Sequence, residues 1–485
     1  MAPNTEAIVP QLQRDFEALI DYVTGPASAS HDVYTVELHL FRRVLALGAA
    51  LLKLFFRTRA ATRPAAPQTT DGTPMRYHDR RSVRYISIFG DLWVARHYFT
   101  APGQASVAPL DAALSLPATA YSDLLREWAA YGATAQAYRE NQTLLERLLG
   151  LTVPVATLEQ QVARSARDVD AFYAQQPAAP PPPTDTILVV QADGKGVPLV
   201  TPPAAQPVRL GKGQKRGTKK EAIVTCLYRV APYRRTPTEV AAALLREQDA
   251  QPPHQRPRPS GKEQHASLAG KAAACAALAQ RAALRDAPTI AQRVALTDGS
   301  EALQAQMQAH FATTPLILDI IHANEYLWDA ATSVLGETNP HRLDWLRPKL
   351  VGLLEGRTTE VIAALEAERA KPETTPSQRQ ALERTIGYYR RNQAYMRYDT
   401  YLAHGWPIGT GAVEGACAHL VKDRMEQAGM RWTVDGAQAV LDLRAVRLNG
   451  DWDAYWQFHH RQEHQRIYAT SAPRPPEEQM TAFAA

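Results

Sequence analysis

The sequence predicts an α/β fold: a mixed-sheet core with a large all-α insertion, preceded by a mainly helical N-terminal region with a β-hairpin. Three observations carry this reading. Short, fully apolar, β-branched runs begin just after four consecutive prolines, Pro180 to Pro183, and such runs are the signature of buried central strands. Residues 323 to 403 read as helix throughout. Of the 485 residues, 45% are hydrophobic and 21% charged, enough apolar material to build packed cores.

Residues 1 to about 57 read as helical, with VLALGAALLKLFF as the densest apolar stretch, and Thr58 to Thr73 as a Pro/Thr/Ala-rich linker. Alternation around Gly90-Asp91 predicts a hairpin over residues 84 to 99. Helical periodicity returns from Leu124 to about Phe172. The Gly-centred break in LLERLLGLTVPVATLEQQV fits a helix-turn-helix or an ordinary helical hairpin. The prolines form a stiff spacer, and the main domain boundary is expected there.

Beyond it, ILVV (187–190), VPLV (197–200), AIVTCLYRV (222–230), VALT (294–297) and LILDII (316–321) are strand candidates. Residues 238 to 285 read as helix interrupted by QPPHQRPRPSG, and 301 to 311 as a further helix. In the helical stretch, Trp345, Leu346, Leu350, Leu353 and Leu354 fall at helical spacing, and Ser377 is a candidate N-cap. HGWPIGTG then turns into a last core helix starting near Ala412. This order is that of an RNase H-like core with an insert before its last helix. The expected blocks are 1–75 (helical), 76–175 (hairpin and helix-turn-helix-like), 176–185 (linker), 186–322 (first part of the core), 323–403 (insertion), 404–465 (C-terminal core helices) and 466–485 (tail).

Lys plus Arg number 54 against 49 Asp plus Glu, a formal +5, which permits a nucleic-acid partner without requiring one. Cys226, Cys275 and Cys417 lie far apart with no CxxC, which excludes a disulfide scaffold and a Cys-based zinc finger. The longest apolar run, Val44 to Leu52, is far shorter than the roughly 20 residues of a membrane span, and MAPNTEAIVP lacks a signal-peptide layout. A cytoplasmic protein is expected, nucleoid-associated when on DNA, with no membrane partner. HExxH, GxSxG and Walker A sequences are absent.

Three acids stand where such a core needs them: Asp193 after ILVV, Asp298 after VALT, and Glu414 in GTGAVEGACAHL. Carboxylates converging from strand ends and a crossing helix are costly unless cations neutralise them. Oxygen ligands of this kind suit Mg2+ or Mn2+, and two such ions would serve phosphodiester chemistry. The plainer reading of each Asp-Gly is a turn after a strand.

The segments QADGKGV, KGQKRGTKKEAIVTCLYRVAPYRRTP, LTDGSEALQ, LDIIHANEYLW and GWPIGTGAVEGACAHLVKDRMEQAGMRWTVDGAQAVLDLRAVRLNGDWDAYW resemble those of bacterial DDE transposases of the ISKra group, loosely related to Mutator-type transposases. With RYHDRRSVRYISIFGDLWVARHYF and APLDAALSLP, the resemblance spans about residues 76 to 456. It implies metal-dependent cleavage at insertion-sequence ends and strand transfer into target DNA. The metal-binding acids would be Asp193, Asp298 and Glu414, and the protein would work as a homo-oligomer on DNA with no small-molecule cofactor. The alternatives are a transposase-derived DNA-binding protein and a metal-dependent nuclease without strand transfer. Asp319 and His322 are similar to the C/D-x-x-H of Mutator-like enzymes, which would set His322 near the scissile phosphate. They equally read as a polar pair capping the next helix, and Asp319 is also an alternative second acid. Relatives carry a Cys pair where this chain has TAPGQASVAPLD, so a zinc module is not expected.

Arg209, Lys212, Lys215, Arg216, Lys219 and Lys220 form a cationic, acid-free loop suited to a phosphate backbone, or else a solvated face. Lys422, Arg424, Arg431 and Trp432 follow Glu414. Arg424 with Trp432 would hold DNA by charge and stacking, while Lys422 and Arg424 also fit an exposed helix face.

Overall fold

The computed structural model describes residues 5–69, 71–177, 180–183, 185–200, 219–247, 255–427 and 429–468. The chain is mixed α/β and divides into two units: Met1–Asp168 with Trp452–Ala485, and Val169–Asp451. The division therefore falls before the prolines, and the helix Trp452–Tyr468 groups with the N-terminal unit instead of closing the core.

In the first unit, the helices Thr5–Thr24 and Val33–Arg59 precede a hairpin of β1 (Arg76–Ser87) and β2 (Gly90–Thr100). The hairpin is longer than its alternating segment because its outer rungs pair charged and aromatic residues, Arg76 with Thr100 and Tyr77 with Phe99. Leu92 and Val94 of β2 pack with Phe56 and Leu116. The helices Asp123–Ala135, Tyr138–Leu149 and Val155–Ala166 follow, the break expected in sequence being Gly150 in the left-handed region at φ 68°.

The second unit contains a five-stranded sheet of β3 (Thr186–Pro198), β4 (Lys219–Val230), β5 (Ser260–Ser267), β6 (Ile290–Thr297) and β7 (Leu316–Leu318). Its order is β5-β4-β3-β6-β7. β3 with β4 and β4 with β5 are antiparallel, whereas β6 runs parallel to both β3 and β7. Val190, Ala192, Ile223 and Leu227 pack on the helix Lys271–Arg285 through Ala274, Cys275 and Leu278. A separate VPLV strand does not exist. β3 runs unbroken through Asp193-Gly194-Lys195-Gly196, each paired across to β4. The Glu221 and Lys219 side chains of that partner strand lie over Gly194 and Gly196, in the space a Cβ there would take.

β5 lies where helix and Pro-rich loop were expected. Its residues, SGKEQHAS, carry no apolar alternation because it is an edge strand whose outer backbone is taken up by the helix Val434–Asn449, Asn449 bonding Gln264 and Gln438 bonding Ala266. LILDII is strand only to Leu318, since Asp319 caps the helix Ile320–Leu335. That helix opens a run continued by Arg342–Leu354, Thr358–Ala370, Pro376–Asn392 and Tyr398–Ala403. The cap of the fourth is Thr375, not Ser377: Thr375 and Gln378 form a capping box with Pro376 in the first turn.

Candidate active site

Strand register builds the site. β3 pairs with β6 as far as Gln191 opposite Leu296, and β6 with β7 as far as Thr297 opposite Leu318. Extending each strand by one or two residues sets Asp193, Asp298 and Asp319 level on three neighbouring parallel strands. Asp298 and Asp319 follow the carboxyl ends of β6 and β7, where open α/β sheets gather their ligands, while β3 runs on past Asp193 to Pro198.

Asp193 is half-buried, and its Oδ1 accepts from Gly194 N–H at 2.6 Å. Its Oδ2 accepts from the Cys417 thiol at 3.4 Å. Burial, reinforced by the charge of Asp298, raises the Asp193 carboxyl above its ordinary range. The Cys417 thiol is pushed well up, first by burial and then by Asp193, so it stays a neutral donor. Because Asp193 lies within a strand, its Asp-Gly is no turn.

Asp298-Gly299 does turn. Asp298 Oδ1 accepts from Ser300 N–H at 3.0 Å, leading into the helix Glu301–His310, and its carbonyl accepts from Tyr388 O–H at 2.8 Å. Gly299 has φ 92°, and a Cβ there would fall 2.5 Å from the Tyr388 hydroxyl, so the turn requires glycine.

Glu414 comes from the helix Gly411–Ala416, and its Oε1 accepts from Thr410 Oγ1–H at 2.7 Å. This helix runs on into a π-helical turn, Cys417–Lys422, which carries the thiol that meets Asp193.

Asp319 is fully buried. Its carboxylate accepts from the backbone of Ile321 and His322, each at 3.2 Å, and from Thr410 N–H at 3.1 Å, and it meets His322 Nδ1 at 2.6 Å. The capping reading of D-x-x-H therefore holds for Asp319. The Asp319 bond raises His322 to about 9, so the imidazole is cationic at neutral pH. His322 remains one-third exposed and is felt electrostatically by Asp193 and Asp298.

One residue missed in the sequence ties these parts together. Gln191, fully buried, donates to Gly409 O and Tyr228 Oη, each at 3.2 Å, and accepts from Val413 N–H at 3.0 Å. It thereby holds the turn that delivers Glu414 against β3. The available signal was its polarity inside the otherwise apolar VVQA.

Among the described residues, two groups place three potential metal-ligand atoms within 4.8 Å of one another: Asp319, His322 and Glu414, and Asp168, His459 and Glu463. Asp193, Asp298 and Glu414 do not form such a group. Charge separates the two. Arg466 pairs with Asp168 at 2.6 Å, and Arg126, Arg167 and Arg466 all surround Glu463, so that cluster already has its cations. By contrast, no described Lys or Arg comes within 4.0 Å of the carboxylates of Asp193, Asp298, Asp319 or Glu414. Asp319 has the His322 cation, whereas Asp193, Asp298 and Glu414 have no Lys or Arg partner among the described residues. Asp193 is already raised by burial and a neighbouring carboxylate, so these three form a donor set that fits a divalent cation.

Of the basic residues, Arg209, Lys212, Lys215 and Arg216 lie outside the described residues. Lys219 and Lys220 are exposed at the start of β4, Lys219 paired with Glu426 at 2.6 Å, and Lys422 and Arg431 are also exposed. Arg424 and Trp432 correct the expectation. They are 0% and 7% exposed, with the guanidinium 4.8 Å above the indole, and so stack on each other instead of on DNA. Trp432 donates its indole N–H to Met425 O at 3.1 Å, and its backbone bonds Pro198 and Val200, which binds this segment to the end of β3.

Compared with protein-family models and with curated proteins, the chain matches none.

Proposed function

We propose that the chain is a DDE-type transposase with an RNase H-like core, cutting DNA at insertion-sequence ends and joining the cut strand to a target. One observation carries this. Two aspartates, Asp193 and Asp298, stand level on neighbouring parallel strands of a sheet ordered β5-β4-β3-β6-β7, and Glu414 follows on a helix after a long helical run. Three antiparallel strands continued by two parallel ones is the topology expected of an RNase H-like core, and the helices from Ile320 to Ala403 are its insertion.

Asp193, Asp298 and Glu414 would hold Mg2+ or Mn2+, two ions being expected of a phosphodiester site. When bound, the metal supplies activation of an oxygen nucleophile and charge neutralisation at the phosphate. The protein's own groups do the rest. Asp319 positions: it fixes the start of the helix Ile320–Leu335 and the Thr410 backbone on one carboxylate, which sets Glu414 relative to the strand ends. His322, kept cationic by Asp319, would hydrogen-bond a phosphate oxygen and hand its proton to the departing 3′-oxygen. Gln191 keeps the Glu414 turn seated, and Cys417 keeps Asp193 oriented by a bond that leaves it ionisable. Exposed Lys219, Lys220, Lys422 and Arg431 supply phosphate contacts around this centre.

The test is cleavage, in Mg2+ or Mn2+, of DNA carrying the ends that flank the coding sequence, followed by strand transfer. Wild type should nick at the ends and join them, whereas Asp193→Asn and Glu414→Gln should lose at least a hundredfold. Cleavage unaffected by both variants would overturn the site, and cleavage without joining would leave a nuclease.

A further inference from the structure

A cavity of about 390 Å³ opens beside the acidic centre, behind the turn Gly405–Gly409, and nothing in the chemistry above uses it. Its rim includes Ile320, Ile321 and Gly409, the immediate neighbours of Asp319, His322 and Thr410. Its wall is aromatic and fixed. Trp406 stacks on Tyr401 at 5.6 Å and its indole N–H is held by Gln292. Tyr228 shares Gln191 with the Glu414 turn, and the Tyr233 backbone N–H bonds Gly405 O at 2.9 Å.

Two cations face this apolar wall. Arg235 lies 5.0 Å over the Tyr233 ring with its buried Nε unbonded, and Arg256 is close enough to oppose its charge. Neither forms an ion pair with a carboxylate among the described residues. Glu239, also on the wall, is engaged in capping the helix Pro237–Leu244. The half-buried Arg235, with the exposed Arg256 beside it at the mouth, calls for an anion, and the aromatic surface next to them calls for a flat ring. The volume lies within the range of small-molecule sites.

Resting on the strand-cleavage reading, we propose that this cavity takes one unpaired nucleotide of the DNA strand led to the acids. The base stacks along Tyr233 and Trp406, and the adjoining phosphate sits on Arg235 and Arg256. A base held out of the helix beside the scissile bond anchors the strand in register, since stacking on an aromatic surface compensates lost pairing.

Calorimetric titration of the full chain with dAMP, deoxyribose 5-phosphate and a single-stranded hexanucleotide tests this. The hexanucleotide should bind tightest, and dAMP at least tenfold tighter than deoxyribose 5-phosphate. Arg235→Gln should weaken dAMP and hexanucleotide about tenfold at unchanged Tm. Ala243→Trp, which keeps both arginines but fills the cavity wall, should do the same. Equal affinity for dAMP and deoxyribose 5-phosphate, or indifference to both variants, would overturn the inference. So would a site that takes dAMP but not the hexanucleotide. The end-cleavage assay run alongside keeps the two readings apart. Cleavage with no nucleotide site removes only the cavity, while a nucleotide site without cleavage keeps the cavity and removes the strand-cleaving chemistry.

Discussion

Removing Asp319 should unfold the second unit far more readily than removing Asp193, although the two carboxylates stand level on the same sheet. Asp319 has no solvent exposure and accepts from three backbone N–H groups besides meeting His322. In Asp319→Ala the helix Ile320–Leu335 loses its N-cap, which costs about 1 kcal/mol. The buried Thr410 N–H is left without an acceptor, for a further roughly 1–3 kcal/mol, and a charge-assisted bond to His322 goes as well, at about 1.5 kcal/mol. The sum is about 3.5–5.5 kcal/mol, a Tm drop on the order of 10 °C. Asp193 receives only its neighbour Gly194 and a weak thiol donor, and burial with Asp298 already penalises its charge. Asp193→Ala should therefore stay within about 1 kcal/mol of wild type or gain stability while losing activity. Urea denaturation of both variants, followed by circular dichroism, measures the contrast. Equal losses, or a stable Asp319→Ala, would refute the division between a clamping acid and an ion-binding acid.

Three more outcomes follow from the same geometry. Mg2+ or Mn2+ at a hundred times its Kd should stabilise wild type by about 2.7 kcal/mol; Asp298→Asn should lose most of that gain, read as the Tm difference with and without EDTA. Gly299→Ala, forced to φ 92° against the Tyr388 hydroxyl, should cost about 1–3 kcal/mol in thermal melts and reduce cleavage with it. The third concerns pH. Burial raises the Asp442 carboxyl from 3.8 to about 7, so the folded chain holds the extra proton and this group's contribution to stability is lost as pH rises through that window. Since Asp442 keeps partial exposure, Asp442→Asn should gain about 1–2 kcal/mol on wild type between pH 5 and 8 in urea melts, half the full conversion at about 1.36 kcal/mol per pH unit.

What could be read ahead of the structure was whatever leaves a periodic or apolar trace. ILVV, AIVTCLYRV and VALT are strands because buried strands must be apolar on both faces, and the helices from Ile320 onward show their buried stripe through Leu346, Leu350 and Leu353. β5 escaped because an edge strand is stabilised by ladder bonds to β4, which any residue type can make. The continuity of β3 escaped because Asp193-Gly194 has the composition of a turn, and only pairing with β4 shows its glycines making room for Glu221 and Lys219. Arg424 and Trp432 escaped for the opposite reason: charge and an aromatic ring resemble a DNA contact in sequence, and their burial against each other is a tertiary fact.

The acids repeat this lesson at the scale of one site. Asp193, Asp298, Asp319 and Glu414 are indistinguishable as letters, and their differences come from what each carboxylate accepts. Asp319 accepts four bonds and is committed to the fold, whereas Asp298 and Glu414 each accept one. A carboxylate with few donors has lone pairs to offer a cation, and one with many has none to spare. Under this count the fully buried Asp319 has the least bonding capacity left for metal. Asp319, the most buried acid of the centre and one of the three atoms lying within 4.8 Å, is therefore the one that should contribute least to ion affinity. Its distance to Glu414 and His322 reflects the clamp that holds them, and under the proposed chemistry the ion would fall to Asp193, Asp298 and Glu414, the Asp193 carboxyl being raised by burial and by Asp298.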